Sequence, residues 1–240
     1  MKTAKLYLRS LIANIYFYPT LMIGFALSVI VGVINRKKMP YIWDNYIIPP
    51  ILNGMLKLTG IEIEVRGKEN ITPDVIFASK HESAFETYAL PTIIPNSVFV
   101  LKKELTYVPI FGWAQALYGM IPVDRGAGAK AMKGMLVQTK KRIEEGRSLV
   151  IFPEGTRCKH LQVKGYKSGV VFLAESLNKP VVPVALNTDL CWAKASFLRH
   201  PGKIIFEFLP PIKVSDYKSK KEFMDELENR IETACKKMVQ

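Results

Sequence analysis

The spacing of apolar and polar positions divides the chain near residue 60. Leu11 to Ile34 carries no charge and is long enough to cross a bilayer as a helix. The run is too long, and too poor in small residues at its end, for a cleaved signal peptide. Lys2, Lys5 and Arg9 precede it; Arg36, Lys37 and Lys38 follow. A spanning helix favours such an excess on one side, so this symmetry leaves room for a helix that lies in one leaflet. A second apolar stretch, Tyr41 to Leu58, is interrupted at Pro49-Pro50 and carries Tyr41, Trp43 and Tyr46, aromatics suited to the headgroup level. Residues 1–60 read as two membrane-associated helices; the alternative is a helical hairpin buried against the rest.

Beyond residue 60 the period changes. Ile61 to Val65 alternates with period two, as a half-buried strand does. Val75–Ala78, Val98–Leu101, Gly119–Val123, Ser148–Phe152, Val181–Ala185 and Lys203–Phe208 are further short apolar runs. Helical patterns separate several of them: a stretch after His81 ending before Pro91, then Gly126 to Glu145, then Gly169 to Leu177. Ser215 to about Met238 closes the chain with Phe223, Leu227 and Ile231 at four-residue steps, a stripe that fits packing. Alternating strands and helices predict an α/β domain over 61–240 with a mostly parallel or mixed sheet flanked by helices. Ligands of such sheets sit beyond the carboxyl ends of the strands.

Composition adds two constraints. The net charge of +13 favours anionic partners: phospholipid headgroups, an acidic protein or nucleic acid. The pairing of aromatic and basic residues seen in nucleic-acid modules is missing. Cys158, Cys191 and Cys235 are scattered and odd in number, which argues against a disulfide framework and a zinc site and for a reducing, cytosol-facing compartment.

The chemistry concentrates at two strand ends. His81 follows the second strand, and Glu86 stands one helical turn further on, within reach of a ring nitrogen. Histidine moves protons near neutral pH, and a carboxylate fixes its tautomer. Alone, the pair reads more readily as a histidine capping a helix in a polar turn. Phe152-Pro-Glu-Gly-Thr-Arg157 follows the strongest strand. There glycine permits close backbone approach and arginine offers a fork for phosphate. Glu154 is placed to pair with Arg157 or to meet a substrate hydroxyl. Lys102, Lys103, Arg125, Lys164 and Lys167 would form a cationic pocket beside His81 if their strand ends share one edge. Gly126-Ala-Gly128-Ala-Lys-Ala131 resembles a dinucleotide fingerprint but is read as a plain helix start, because Asp124-Arg125 separates it from the strand.

These blocks, His81-x4-Glu86, Lys103-Glu-Leu with Pro109 and Gly112, Ile121-Pro-Val-Asp-Arg125, Phe152 to Arg157 and Val181-Val-Pro-Val184, stand in a familiar order. Over roughly residues 60 to 210 the chain resembles the lysophospholipid acyltransferases of the glycerophosphate acyltransferase superfamily, and most of all the bacterial 1-acyl-sn-glycerol-3-phosphate acyltransferases. The N-terminal pair of helices resembles that family's membrane-binding motif. One position departs: the family usually has aspartate where Glu86 stands.

The resemblance implies transfer of an acyl chain from an acyl carrier protein or coenzyme A thioester to the sn-2 hydroxyl of lysophosphatidic acid. No metal or other cofactor is implied. His81, held by Glu86, would be the base. Glu154, Gly155, Thr156 and Arg157 would bind the glycerol phosphate with Arg125 and Lys103, and Val181 to Val184 would support the pocket and contribute to the acyl channel. The implied location is the bacterial inner membrane, with the site facing the cytoplasm. Another acceptor, such as a lyso-ornithine lipid, is the alternative; a hydrolase using Ser83 and a non-catalytic membrane or nucleic-acid binder are weaker rivals.

Overall fold

The structure is a computed structural model that describes residues 2–238. The chain begins with one helix, α1 (Lys2–Ile34), longer than the uncharged run because Lys5 and Arg9 join its first turns. A second helical stretch follows: α2 (Met39–Ile42), a π-helical turn (Trp43–Ile47) and α3 (Ile48–Thr59). Pro49-Pro50 does not break it as the sequence suggests. The pair opens α3, where the first N–H groups need no intrahelical partner.

The two stretches form an antiparallel hairpin. Arg9 donates to the Leu58 carbonyl near one end (2.7 Å), and a Cβ on Gly24 would lie 2.9 Å from Ile47 near the other. The hairpin's inner face, including Phe17, Leu21, Phe25, Trp43 and Met55, joins the main core. The outer face of α1 does not pack. Leu8, Leu11, Ile12, Ile15, Ile23, Leu27 and Ile30 are exposed there. α1 is the one helix among the described residues long and apolar enough to cross a membrane.

Seven strands form one sheet in the order β1-β7-β6-β2-β5-β3-β4. They are β1 (Ile61–Arg66), β2 (Ile76–Ser79), β3 (Ser97–Lys102), β4 (Ile121–Val123), β5 (Ser148–Ile151), β6 (Val181–Leu186) and β7 (Gly202–Phe208). All neighbours are parallel except β6 and β7. The mixed sheet flanked by helices is therefore the architecture predicted. β2 and β6 are buried at every position, as strands covered on both faces should be.

Four helices lie where the sequence pattern puts them, with shifted ends. α4 (Phe85–Ile93) runs through Pro91 instead of ending before it, and Ile94 closes it on the Leu90 carbonyl. Two short helices were not anticipated, α5 (Phe111–Tyr118) and α8 (Thr188–Cys191). The others are α6 (Gly128–Glu144), α7 (Gly169–Leu177) and α9 (Lys220–Lys237). α6 starts at the second glycine of the apparent fingerprint, which is a helix start and no more. Phe223, Leu227 and Ile231 of α9 are fully buried, each contributing about 1.5–3 kcal/mol. The three cysteines are free and buried.

Candidate active site

Parallel pairing aligns the strand ends that matter. Ala78 of β2 lies beside Ile151 of β5, Phe99 of β3 beside Val150, and Lys102 beside Val123 of β4. The loops leaving β2, β5, β3 and β4 therefore share one edge, with the His81 loop and the Phe152–Arg157 turn adjacent. The end of β6 is on the same edge, beside β2.

His81 stands two residues beyond β2, and Glu86 lies in the first turn of α4. His81 Nδ1 is 2.8 Å from Glu86 Oε1. The same oxygen accepts the backbone N–H groups of Glu82 (2.8 Å) and Ser83 (2.7 Å), and Oε2 accepts the Thr188 hydroxyl (2.9 Å). Since Glu86 is committed as an acceptor, Nδ1 supplies the proton and Nε2 keeps its lone pair. The imidazole stacks on Phe152 at 4.0 Å between centroids, so the ring is held on its face as well as its edge. Ser83 is fully buried and its Oγ accepts from the Phe85 N–H (3.1 Å), a poor position for a nucleophile.

His81 lines a cavity of about 430 Å³. One part is polar, with Lys102, Arg125, Gly155, Thr156 and Arg157. The rest is mostly apolar, with Thr87 and Gln115 among its polar exceptions, and includes Met120, Ala114 and Phe111 together with Phe25, Met39 and Trp43 of the N-terminal hairpin. Gly155 has φ +66°, a conformation that favours glycine, and its carbonyl accepts from Arg125. A side chain there would also press on Lys167, whose Nζ lies 3.0 Å from the position a Cβ would take. Arg125 and Lys167 thus meet at this turn.

The structure brings His81, Glu86, Arg125, Gly155, Thr156 and Arg157 together, but not Lys103, Glu154 or Val181 to Val184. Lys102 ends β3 and lines the cavity, while Lys103 opens the tight helical turn that follows and lies outside the lining, 3.8 Å from Asp124. Val181 to Val184 are buried in the middle of the sheet and do not reach the cavity. Glu154 turns inward instead of toward Arg157. Its carboxylate is buried 3.5 Å from Lys80 Nζ and accepts a long bond from the His81 N–H (3.4 Å).

Lys80 is itself fully buried, paired also with Glu232 and donating to the Gln162 carbonyl (3.1 Å). Tyr166 donates to Glu232 (3.1 Å). Burial pushes the Glu154 carboxyl up to about 7, against the pull of Lys80. Burial also works against the Lys80 ammonium, yet Glu232 and Glu154 hold it above its ordinary value. One cation facing two buried carboxylates leaves one of them, Glu154, inclined to hold a proton near neutrality.

A second histidine–glutamate contact lies close by. His160 Nδ1 is 2.7 Å from Glu82 Oε1, and Glu82 Oε2 accepts the Asp189 N–H (3.0 Å). Thr188, Lys80, Glu82 and His160 were all missed in the sequence. Only Thr188 had a usable signal: a hydroxyl residue just past the end of a predicted strand. Among the described residues no group of three or more His, Cys, Asp or Glu is arranged to hold a metal.

A proton-accepting histidine beside a cationic turn, on the carboxyl edge of an α/β sheet, defines a group-transfer class. The acyltransferase family model matches residues 62–187, and the chain belongs to that family. The 1-acyl-sn-glycerol-3-phosphate acyltransferase of Pseudomonas aeruginosa is 42% identical over 149 residues, covering 61% of this chain and 58% of that protein. The enzyme of the same name from Limnanthes alba is 34% identical over 170 residues, 70% of this chain and 60% of its own. The chain thus spans about three fifths of the length of these curated relatives. The crystal structure of the 1-acyl-sn-glycerophosphate (LPA) acyltransferase PlsC from Thermotoga maritima superposes with a TM-score of 0.77 at 19% identity, covering 96% of this chain and 97% of that one. At that identity the likeness is one of fold.

Proposed function

We propose that this protein transfers an acyl chain from a thioester to the sn-2 hydroxyl of 1-acyl-sn-glycerol-3-phosphate, giving phosphatidic acid. The observation that carries the reading is the His81–Glu86 pair opening onto a cavity that is cationic at His81 and apolar beyond. Arg125, Thr156 and Arg157 bind the phosphate, and Lys102 takes the place expected of Lys103. With the phosphate fixed, the free hydroxyl is delivered to His81 Nε2, which removes its proton as the oxygen attacks the thioester carbonyl. The tetrahedral intermediate collapses by breaking the carbon–sulfur bond. The thiolate leaves and takes up the proton from the imidazolium, so phosphatidic acid and a free thiol are the products. No covalent acyl-enzyme is required, in keeping with the buried Ser83.

The donor is an acyl carrier protein or coenzyme A thioester, either suited to a chain of net charge +13. Exposed apolar side chains along α1 enter the lipid, and the cavity reaches Phe25 of the same helix. An amphipathic acceptor would then arrive without leaving the bilayer. The bacterial inner membrane, with the site facing the cytoplasm, is the location this implies. The test is acyl transfer to lysophosphatidic acid in liposomes, wild type against His81→Ala. We expect loss of about 10²–10⁴-fold in the variant with its melting temperature unchanged. Retained transfer would remove His81 as the base.

A further inference from the structure

We infer that Thr188 is a positioning residue for His81, acting through Glu86. The inference rests on the acyl-transfer reading of the site. The two oxygens of Glu86 are not held alike. Oε1 receives two backbone N–H groups and the histidine. Oε2 receives a single hydrogen bond among the described residues, from the Thr188 hydroxyl at 2.9 Å. Both side chains are fully buried, so no solvent substitutes for that donor.

Thr188 comes from a distant part of the chain, at the start of α8 just past β6. The next residue of α8, Asp189, donates its N–H to Glu82 (3.0 Å) and accepts the His160 N–H on its carboxylate (3.2 Å). The helix therefore grips the catalytic loop at two carboxylates, Glu86 through a side chain and Glu82 through the backbone. The terminal torsion of a glutamate is soft, and three donors crowded on one oxygen do not stop the other from swinging. The Thr188 hydroxyl does. It holds the carboxylate plane, and with it the Nδ1 hydrogen bond that aims Nε2 into the cavity.

Thr188 itself does not line the cavity. Its loss should therefore lower turnover and leave substrate affinity alone. The experiment compares wild type, Thr188→Val, Thr188→Ala and Thr188→Ser in the liposome transfer assay, each also in a Glu86→Gln background, with thermal melts as the folding control. Valine and alanine should lower kcat by about ten- to a hundredfold, part of what a positioned base supplies. KM for acceptor and donor should stay within about twofold, and serine should restore most of the rate. In the Glu86→Gln background the valine substitution should cost less than in wild type, because the bond it removes is then between neutral groups and no longer charge-assisted.

A wild-type kcat in both the valine and alanine variants overturns the inference. So does serine no better than valine, a change confined to KM, or full additivity with Glu86→Gln. If valine does not fold, alanine and serine give the same comparison. A wild-type protein that acylates a different lysolipid overturns only the acceptor assignment, and the Thr188 ratios are then read on that acceptor. A wild type that transfers nothing to any acceptor overturns both.

Discussion

Glu154→Gln separates a structural carboxylate from a substrate ligand. The Glu154 side chain has no solvent access, and its ionisable partner is Lys80 at 3.5 Å. Burial raises its carboxyl from 4.5 to about 7. The native state therefore binds this proton more tightly than the unfolded chain does. Between pH 4.5 and about 7 the unfolded chain has lost the proton while the native protein keeps it. Unfolding releases a proton in that window, so this group's contribution to stability is full below it, falls as pH rises through it, and is level above it. At about 1.4 kcal/mol per pH unit the total is about 3 kcal/mol.

Glutamine has the same shape, still accepts the His81 N–H and has no proton to lose. The variant's stability relative to wild type should therefore climb by about 2–3 kcal/mol between pH 4.5 and 8. In a chain of this size that corresponds to a melting-temperature difference widening by about 5–10 °C. Differential scanning fluorimetry of the two detergent-solubilised proteins across that range reads it directly. KM for lysophosphatidic acid should stay within about twofold, because the side chain is not in the cavity. Melting curves that run parallel with pH, together with a KM raised about tenfold, would refute the reasoning and return Glu154 to the phosphate site.

Three further outcomes follow from the cavity and the surface. Arg157→Ala and Arg125→Ala should each raise KM for lysophosphatidic acid by about ten- to a hundredfold, the worth of a charge-assisted hydrogen bond. KM for the thioester should change less, as steady-state rates with each substrate varied would show. Ala114, buried against the apolar cavity, leaves little space for extra methylenes, so Ala114→Leu should shift the preferred donor to shorter acyl chains in a competition assay. Ile15→Glu combined with Ile23→Glu places charges at positions 63% and 60% exposed on α1; at about 2–3 kcal/mol each within lipid, they should abolish co-flotation with liposomes.

The part of this molecule legible in the sequence is the part written locally. Val181 to Leu186 carries no polar side chain and is buried throughout; Phe223, Leu227 and Ile231 repeat at helical spacing and form one buried stripe. His81 and Glu86 are one helical turn apart, so their contact followed from spacing. The inner set was not legible because its members are far apart in sequence. Lys80 meets Glu232 and Glu82 meets His160 across 152 and 78 residues. Glu154 shows the same limit from the other side. Its neighbours Gly155 and Arg157 line the cavity, and nothing local reveals that the turn sends one side chain inward. The lysine it meets, Lys80, is the residue before His81, where a basic side chain reads as surface.

That arrangement explains how the short stretch from the end of β2 into α4 carries four charged or titratable residues without losing its shape. Lys80, His81, Glu82 and Glu86 lie within seven positions, three of them fully buried. Unpaired, each buried charge would cost several kcal/mol. Each instead has its own partner from another element: Lys80 has Glu154 and Glu232, Glu82 has His160 and the α8 backbone, and Glu86 has Thr188 and the loop's own N–H groups. These partners come from the turn after β5, the segment before α7, α8 and α9, so the loop takes its shape only when the sheet and its helices have assembled around it. His81 is the exception. It contacts Glu86 at one nitrogen and lines the cavity, and on the proposed acyl-transfer reading its rigid neighbours hold the other nitrogen ready for the substrate hydroxyl.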